Sequence, residues 1–241
     1  MGKGKLAKFR ENETFENVFQ PEVSDFLDYT YPLKGKWRKE VFKNDNPIVL
    51  ELGCGKGEYT VGLARKFPDK NFIGIDIKGA RIWTGAKSAN TEQLRNVAFL
   101  RTRIEIIKAF FDKNEVNEIW ITFPDPQMKK RRAKKRLTSS LFLTMYQELL
   151  TDNGSVNLKT DSRFLYRYTC EVAQQNNLEI EFQTADLYNE PWIDDVLQIK
   201  TYYEQLHIDD GNTIHYLKFK LPQNKQLVEP DFDEEEFLNN L

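Results

Sequence analysis

From residue 47 onward, short runs of β-favouring apolar residues, such as Ile48-Val49-Leu50 and Phe72-Ile73, alternate with longer stretches whose apolar positions recur at helical spacing. The pattern predicts strands at 47–52, 71–76, 97–102, 117–123, 154–159, 178–184 and 213–220. Helices are predicted between them at 58–67, 79–93, 104–112, 138–150 and 162–176. Strands separated by helical segments imply right-handed crossovers, hence an α/β fold with a doubly wound, mostly parallel seven-stranded sheet, its last strand antiparallel. Residues 1–46 lack sustained periodicity, apart from a short helix that Pro21 to Leu27 can open, and read as an N-terminal arm or lid. Residues 47–221 form the domain proper, and 222–241 an acidic tail.

Composition adds little to the fold but bounds the partners. An apolar content of 40% over 241 residues supports one substantial core. The net charge of −2 conceals a basic arm, a basic central segment and an acidic end, so local patches carry any argument about polyanions. The acidic end, from Glu229 to Leu241, reads most simply as a solvated tail. Cys54 and Cys170 belong to no C-x-x-C pair, and neither they nor His207 and His215 show metal-ligand spacing. No secretory h-region, myristoylation pattern or run of 18 apolar residues occurs. The expectation is a soluble cytoplasmic protein, monomer or homodimer, without metal or membrane partner.

The first strand ends in Glu51-Leu52-Gly53-Cys54-Gly55-Lys56-Gly57, a strand, tight turn and helix start. Glycines there tolerate unusual φ and let a ligand approach the backbone above a helix N-terminus. The spacing G-x-G-x-G differs from the dinucleotide fingerprint G-x-G-x-x-G and resembles motif I of the class I S-adenosylmethionine-dependent methyltransferases. That resemblance implies a Rossmann-like sheet, with Glu51, Gly53, Gly55 and Gly57 at the methionine part of the cofactor; a ligand-free βα turn is the plainer alternative. Asp76 ends the second strand, about 25 residues after Glu51, where a carboxylate can accept from both ribose hydroxyls or cap the next helix.

Strand four ends Phe123-Pro124-Asp125-Pro126-Gln127, and a cationic run from Lys129 to Arg136 follows at once. The two prolines restrict the backbone around Asp125 and present its carboxylate at the strand tip, unless the sequence is only a loop turn. The run leaves the same sheet edge, so phosphates bound by it bring a nucleic-acid base toward Asp125.

Phe123-Pro124-Asp125-Pro126 with Lys129, Arg131 and Lys134-Lys135-Arg136 resembles the signature of the tRNA (guanine-N7)-methyltransferases. The resemblance continues with Lys159-Thr160-Asp161 and with Thr201-Tyr202-Tyr203-Glu204, and spans roughly residues 47–220. It implies methyl transfer from S-adenosylmethionine to N7 of a guanine in the tRNA variable loop. It further implies cofactor contacts from Glu51, Asp76 and Asp125, with Asp125 catalytic, and substrate contacts from Lys129, Arg131, Asp161, Thr201, Tyr202, Tyr203 and Glu204. From the residues alone, Asp161 reads equally as a cap of the next helix, and Tyr202 and Tyr203 as core aromatics. The chain departs from the family at Gln127, where a tryptophan is usual, and after strand three, where Thr102, Arg103 or the backbone stands in for an aspartate at the adenine amine.

Three other readings share parts of this pattern. A small-molecule or protein methyltransferase is disfavoured by the basic run and by short insertions between strands. A non-catalytic RNA-binding protein is disfavoured by intact Glu51, Asp76 and Asp125. A nicotinamide dehydrogenase is disfavoured by the glycine spacing.

Overall fold

The computed structural model describes residues 3–26 and 28–233. Eight strands form a single sheet: β1 Val18–Phe19, β2 Ile48–Leu52, β3 Asn71–Asp76, β4 Val97–Arg101, β5 Val116–Thr122, β6 Leu150–Thr160, β7 Ile180–Thr184 and β8 His215–Lys220. Their spatial order is β1-β4-β3-β2-β5-β6-β8-β7. All pairings are parallel except those of β8, which runs antiparallel to both β6 and β7. The mixed, mostly parallel α/β sheet matches the sequence expectation, but the strand count does not.

The extra strand comes from the N-terminal arm. Val18 and Phe19 lie alongside Phe99 and Leu100, and the Phe99 amide donates to the Asn17 carbonyl over 2.7 Å. A two-residue strand has no readable alternation, so only its docking reveals it. The arm also carries α1 (Lys3–Asn12), which packs on the later helix α3 (Gly79–Thr91) through Glu11, whose carboxylate accepts from Trp83 Nε1 at 2.8 Å and pairs with Lys87. Farther along, a π-helical turn at Trp37–Phe42 drives Trp37 wholly into the core. Its ring stacks on Phe111 and meets the edge of Phe19, and its Nε1 donates to the Phe110 carbonyl over 2.8 Å. The short helix expected from Pro21 to Leu27 is a single 3-10 turn at Val23–Phe26, with Leu27 outside the described residues.

Both faces of the sheet's centre are covered, which is why β2, β3 and β4 read as nearly continuous apolar runs. Leu50, Leu52, Ile73, Ile75, Leu100 and Ile121 face one core layer, while Val49, Phe72, Phe99 and Trp120 alternate into the other. Between strands run α2 (Glu58–Lys66), α3, α4 (Ser140–Leu149) and α5 (Arg163–Gln175). The helix expected at 104–112 is instead a short 3-10 segment, Ile104–Ala109, broken at Ile106 with φ −115°. Three isoleucines in that stretch crowd a helical turn and weaken the ladder. Two helices were not anticipated: α1 in the arm, and α6, Tyr202–Asp209, after the last crossover.

The start of the acidic end is docked, contrary to the solvated tail expected of it. Leu227 and Phe232 pack against the core, and the Asn176 side chain accepts from the Val228 amide and donates to its carbonyl. Residues 234–241 lie outside the described part.

Because Trp37 is 0% exposed and carries a buried hydrogen bond, Trp37→Ala is expected to destabilise the whole sheet by about 3–5 kcal/mol. Urea denaturation monitored by far-ultraviolet dichroism reads this directly. A change within about 0.5 kcal/mol would mean that the arm is peripheral to the fold.

Candidate active site

Parallel pairing brings the C-terminal ends of five strands to one edge. Leu52 lies beside both Ile75 and Ile121, Asp76 beside Arg101, and Thr122 beside Lys159. The residues that follow, Gly53, Asp76 to Ile77, Thr102, Phe123 and Asp161, therefore open on a common cleft, as expected where ligands bind in open α/β sheets.

Gly53, Gly55 and Gly57 have φ of 78°, 56° and 71°, values an L side chain rarely adopts. They serve different ends. A Cβ on Gly53 would meet nothing within 4 Å, which leaves space above the turn, whereas one on Gly57 would lie 2.5 Å from the Phe99 ring. Gly57 is thus required by packing, and Gly53 keeps a surface clear. The amides of Gly53 and Cys54 both donate to the Ile75 carbonyl, which folds the turn back over β3.

Glu51 sits beneath this turn and is 2% exposed. Its Oε2 accepts from the Thr60 amide at 2.8 Å and from the Thr60 hydroxyl, while Oε1 accepts from Thr122 Oγ1 at 2.6 Å. Burial pushes its pKa up to about 7, against the lowering effect of the Thr122 and Thr60 hydrogen bonds. The carboxylate is a buried brace joining β2, α2 and β5, directly beneath the turn where the sequence places the cofactor. Neither Thr60 nor Thr122 was singled out from sequence; Thr122 is 71 residues from Glu51, and nothing local links them.

Asp76 clasps the same turn from the side. Its Oδ2 accepts from the Gly55 amide at 3.0 Å and its Oδ1 from the Lys78 amide at 2.7 Å, and each oxygen keeps a further lone pair. It lines a cavity of about 240 Å³ together with Gly53, Ile77, Thr102, Arg103, Ile104 and Glu105. Thr102 is buried in the cavity wall, and Arg103 is exposed and 3.6 Å from Glu105. The open space at Gly53 and this cavity fit an elongated cofactor with a hydroxylated sugar at Asp76.

On the other side of the cleft, Phe123 and Gln127 hold φ of 48° and 49° on either side of Pro124-Asp125-Pro126. Two non-glycine residues in the left-handed region mark a loop held against its own preference by its surroundings. Asp125 is exposed, and its Oδ1 accepts from the Gln127 amide at 3.0 Å. The cationic run forms a 3-10 helix, Lys130–Lys135. Lys129, Lys130, Arg131, Arg132, Lys134 and Lys135 are exposed, but Arg136 is 1% exposed and stacked over the rings of Phe164 and Tyr168. Arg136 is therefore part of the scaffold and not of the exposed cationic surface.

Helix α6 spans the cleft between these two motifs. The Tyr202 amide donates to Glu58 Oε2 at 2.9 Å beside the glycine turn, and Lys56 Nζ lies 3.9 Å from the Tyr202 ring centre. Near its far end, His207 stacks on Phe123 and lies 3.3 Å from Asp161. Asp161 is not a helix cap, since Ser162 Oγ accepts from the Leu165 amide and fills that role. Tyr202 and Tyr203 are 52% and 44% exposed, so they are not core aromatics. Thr201 and Glu204 form a capping box, and Glu204 is 0% exposed. Its carboxylate pairs with Lys159 Nζ at 2.7 Å, and that ammonium also donates to the carbonyls of Leu197 and Ile199. Desolvation lowers the Lys159 pKa, and the Glu204 charge opposes it. Glu204, expected at the substrate, is buried in this pair at the start of α6. Opposite charges in two separate motifs were the only sequence hint of this pair; His207 and Lys56 gave none.

Among the described residues, no helix is long and apolar enough to cross a membrane, and no group of three or more His, Cys, Asp or Glu is placed to hold a metal ion.

Comparisons with known proteins follow the same lines. A family profile described as "Putative methyltransferase" matches residues 45–217. In fold, the chain resembles a solved antibiotic-related methyltransferase, with a TM-score of 0.57 at 18% identity over 79% of this chain and 94% of that one. It also resembles the 16S rRNA methyltransferase KamB, with a TM-score of 0.58 at 13% identity over 76% of this chain and 92% of the other. In sequence, it is 56% identical over 233 residues, 97% of this chain and 92% of the relative, to a tRNA (guanine-N(7)-)-methyltransferase of Bacteroides fragilis. The enzyme of that name from Listeria monocytogenes serotype 4b is 34% identical over 88% of this chain and 94% of its own length. The chain belongs to the tRNA (guanine-N7)-methyltransferase family.

Proposed function

We propose that this protein transfers the methyl group of S-adenosylmethionine to N7 of a guanine in the variable loop of tRNA, in the cytoplasm. The observation that carries the reading is the single sheet edge shared by the open glycine turn, the Asp76 cavity, the Asp125 loop and the cationic helix. Membership of the family supports the cofactor, the reaction and the tRNA substrate. The variable loop rests on the motif resemblance alone, and the cytoplasmic site is consistent with two buried, unpaired cysteines.

When bound, S-adenosylmethionine supplies an electrophilic methyl on a sulfonium. Gly53 and Gly55 would leave its methionine part room at the turn, Asp76 would accept from the ribose, and Thr102 and Arg103 would border the adenine. Guanine N7 carries an in-plane lone pair and no proton, so no general base is needed as the N–C bond forms and the S–C bond breaks. The chain's task is positioning, which supplies much of the rate in such displacements. Asp125 is exposed, and its Oδ2 makes no hydrogen bond among the described residues. It faces a base edge that gains positive charge, and a preorganised carboxylate there stabilises the transition state. Lys129, Arg131 and their exposed neighbours hold phosphates, while Asp161, Tyr202 and Tyr203 border the nucleotide. Thr201 and Glu204 act indirectly, by fixing α6.

Incubation with unmodified tRNA and labelled cofactor is expected to place the label on one variable-loop guanine. Under single turnover, Asp125→Ala and Asp125→Asn should each slow transfer on the order of 10²-fold. Normal rates in both variants would remove Asp125 from the chemistry.

The six exposed cations from Lys129 to Lys135 form a basic ramp and predict that tRNA affinity falls on the order of 10³-fold between ~50 and ~200 mM salt. A flat response in filter binding would count against RNA as the ligand.

Glu51 supplies a pH signature of the free protein. Between about pH 4.5, where an unfolded glutamate ionises, and about 7, where Glu51 ionises in the fold, the folded state holds the extra proton. Stability should therefore fall as pH rises through that window, by about 3 kcal/mol from this group. Glu51→Gln should lack that component. Urea denaturation of both proteins across the window measures it, and parallel profiles would refute a raised Glu51 pKa.

A further inference from the structure

The cationic helix is closed into a loop at its base. Arg136 Nε donates to the Gln127 carbonyl over 3.3 Å, so the segment that begins just after Asp125 returns to its own start. The Arg136 guanidinium lies 4.9 Å and 4.3 Å from the ring centres of Phe164 and Tyr168 on α5. Phe232 approaches both rings edge-on, with centroids 5.5 Å and 5.6 Å away. A segment from the far end of the chain thus completes the stack that holds the loop's base.

A second set of contacts fixes the same segment. Glu229 Oε2 accepts from the Ser140 amide at 3.0 Å and from Ser140 Oγ at 2.6 Å, at the first turn of α4, four residues after Arg136. Glu229 Oε1 accepts from the Tyr168 hydroxyl. A carboxylate at a helix N-terminus satisfies amides that lack intrahelical partners. The paired Asn176 and Val228 hydrogen bonds anchor the strand of chain just before it. Three contacts of different kinds, on α4, α5 and the α5 C-terminus, define a strap at Leu227 to Phe232.

We propose that this strap is a positioning element for tRNA: Glu229 and Phe232, touching neither substrate nor cofactor, fix the base of the Gln127–Arg136 loop and so set where its exposed cations meet the phosphates. The proposal rests on the functional reading above. Charge alone suggests the opposite role, an acidic segment competing with RNA for the ramp. The hydrogen bonds favour the strap, because Glu229 spends its acceptors on Ser140 and Tyr168 and not on the exposed lysines.

The test uses the full chain with Glu229→Ala, Glu229→Gln and Phe232→Ala. For Glu229→Ala and Phe232→Ala, Kd and KM for tRNA are expected to rise on the order of tenfold, about 1.4 kcal/mol, at unchanged kcat and unchanged S-adenosylmethionine affinity. Glu229→Gln keeps an acceptor for Ser140 and should restore tRNA binding to within about twofold of the wild type. Unchanged tRNA affinity in both alanine variants overturns the proposal, and tighter binding overturns it in favour of competition. Should Glu229→Ala fail to fold by thermal melting, Phe232→Leu keeps the apolar volume, removes the ring edge and carries the same expectation at smaller size. A wild type that binds cofactor but never methylates tRNA refutes the functional reading itself, whereas an active wild type matched by its variants refutes only the strap.

Discussion

One buried carboxylate ties the two halves of the cleft together. Glu51 stands at the end of β2, takes two hydrogen bonds from Thr60 in α2 and one from Thr122 at the tip of β5. The glycine turn and the Asp125 loop are thereby referenced to the same side chain, on neighbouring parallel strands. An acid is a costly choice for a site that is 2% exposed, since desolvation disfavours its charge. Three donors converging on two oxygens are what make it tolerable, and they also fix its geometry. An apolar residue there would pack, but it would leave the Thr60 amide and two hydroxyls without their present acceptor.

The same device recurs around the cleft. Lys159 and Glu204, both fully buried, join the end of β6 to α6, and Arg136 is enclosed by Phe164 and Tyr168 at the base of the ramp. Breaking such a pair on one side leaves an uncompensated charge, so each acts as a stiff, directional joint more than as a source of net stability. The outward groups that these joints carry, Asp125, Tyr202, Tyr203 and the exposed lysines, are free to meet a ligand because their neighbours absorb the structural work. Backbone strain at Phe123 and Gln127 fits this division, since a loop in the left-handed region persists only where its surroundings hold it. A reaction that depends on aligning nucleophile, methyl and leaving group benefits from that rigidity.

Much of this was legible along the chain. Runs of β-favouring residues gave the strands from β2 to β8 nearly in place, and the glycine turn and Pro124-Asp125-Pro126 mark two strand ends that share one edge of the sheet. These features are local: a strand needs its own period, a left-handed turn needs its own glycine, and a strand-tip loop needs its own prolines. Cationic character was legible for the run from Lys129 to Arg136, but not which of its members faces inward. The structure removes Arg136 from the surface because α5 offers it two aromatic rings, a fact held in residues some 30 positions away.

What the sequence determined by itself was therefore the order of elements and the chemistry at each strand end, because both follow from neighbouring residues. What only the tertiary structure decided was the allocation of roles among similar side chains. That Glu51 and Glu204 are buried and braced is invisible in one dimension, since their partners Thr122 and Lys159 arrive from other strands. The eighth strand, the placement of α6 across the cleft and the docking of Glu229 share this origin. Burial and long-range hydrogen bonding depend on which segments meet, and no window of sequence contains that information.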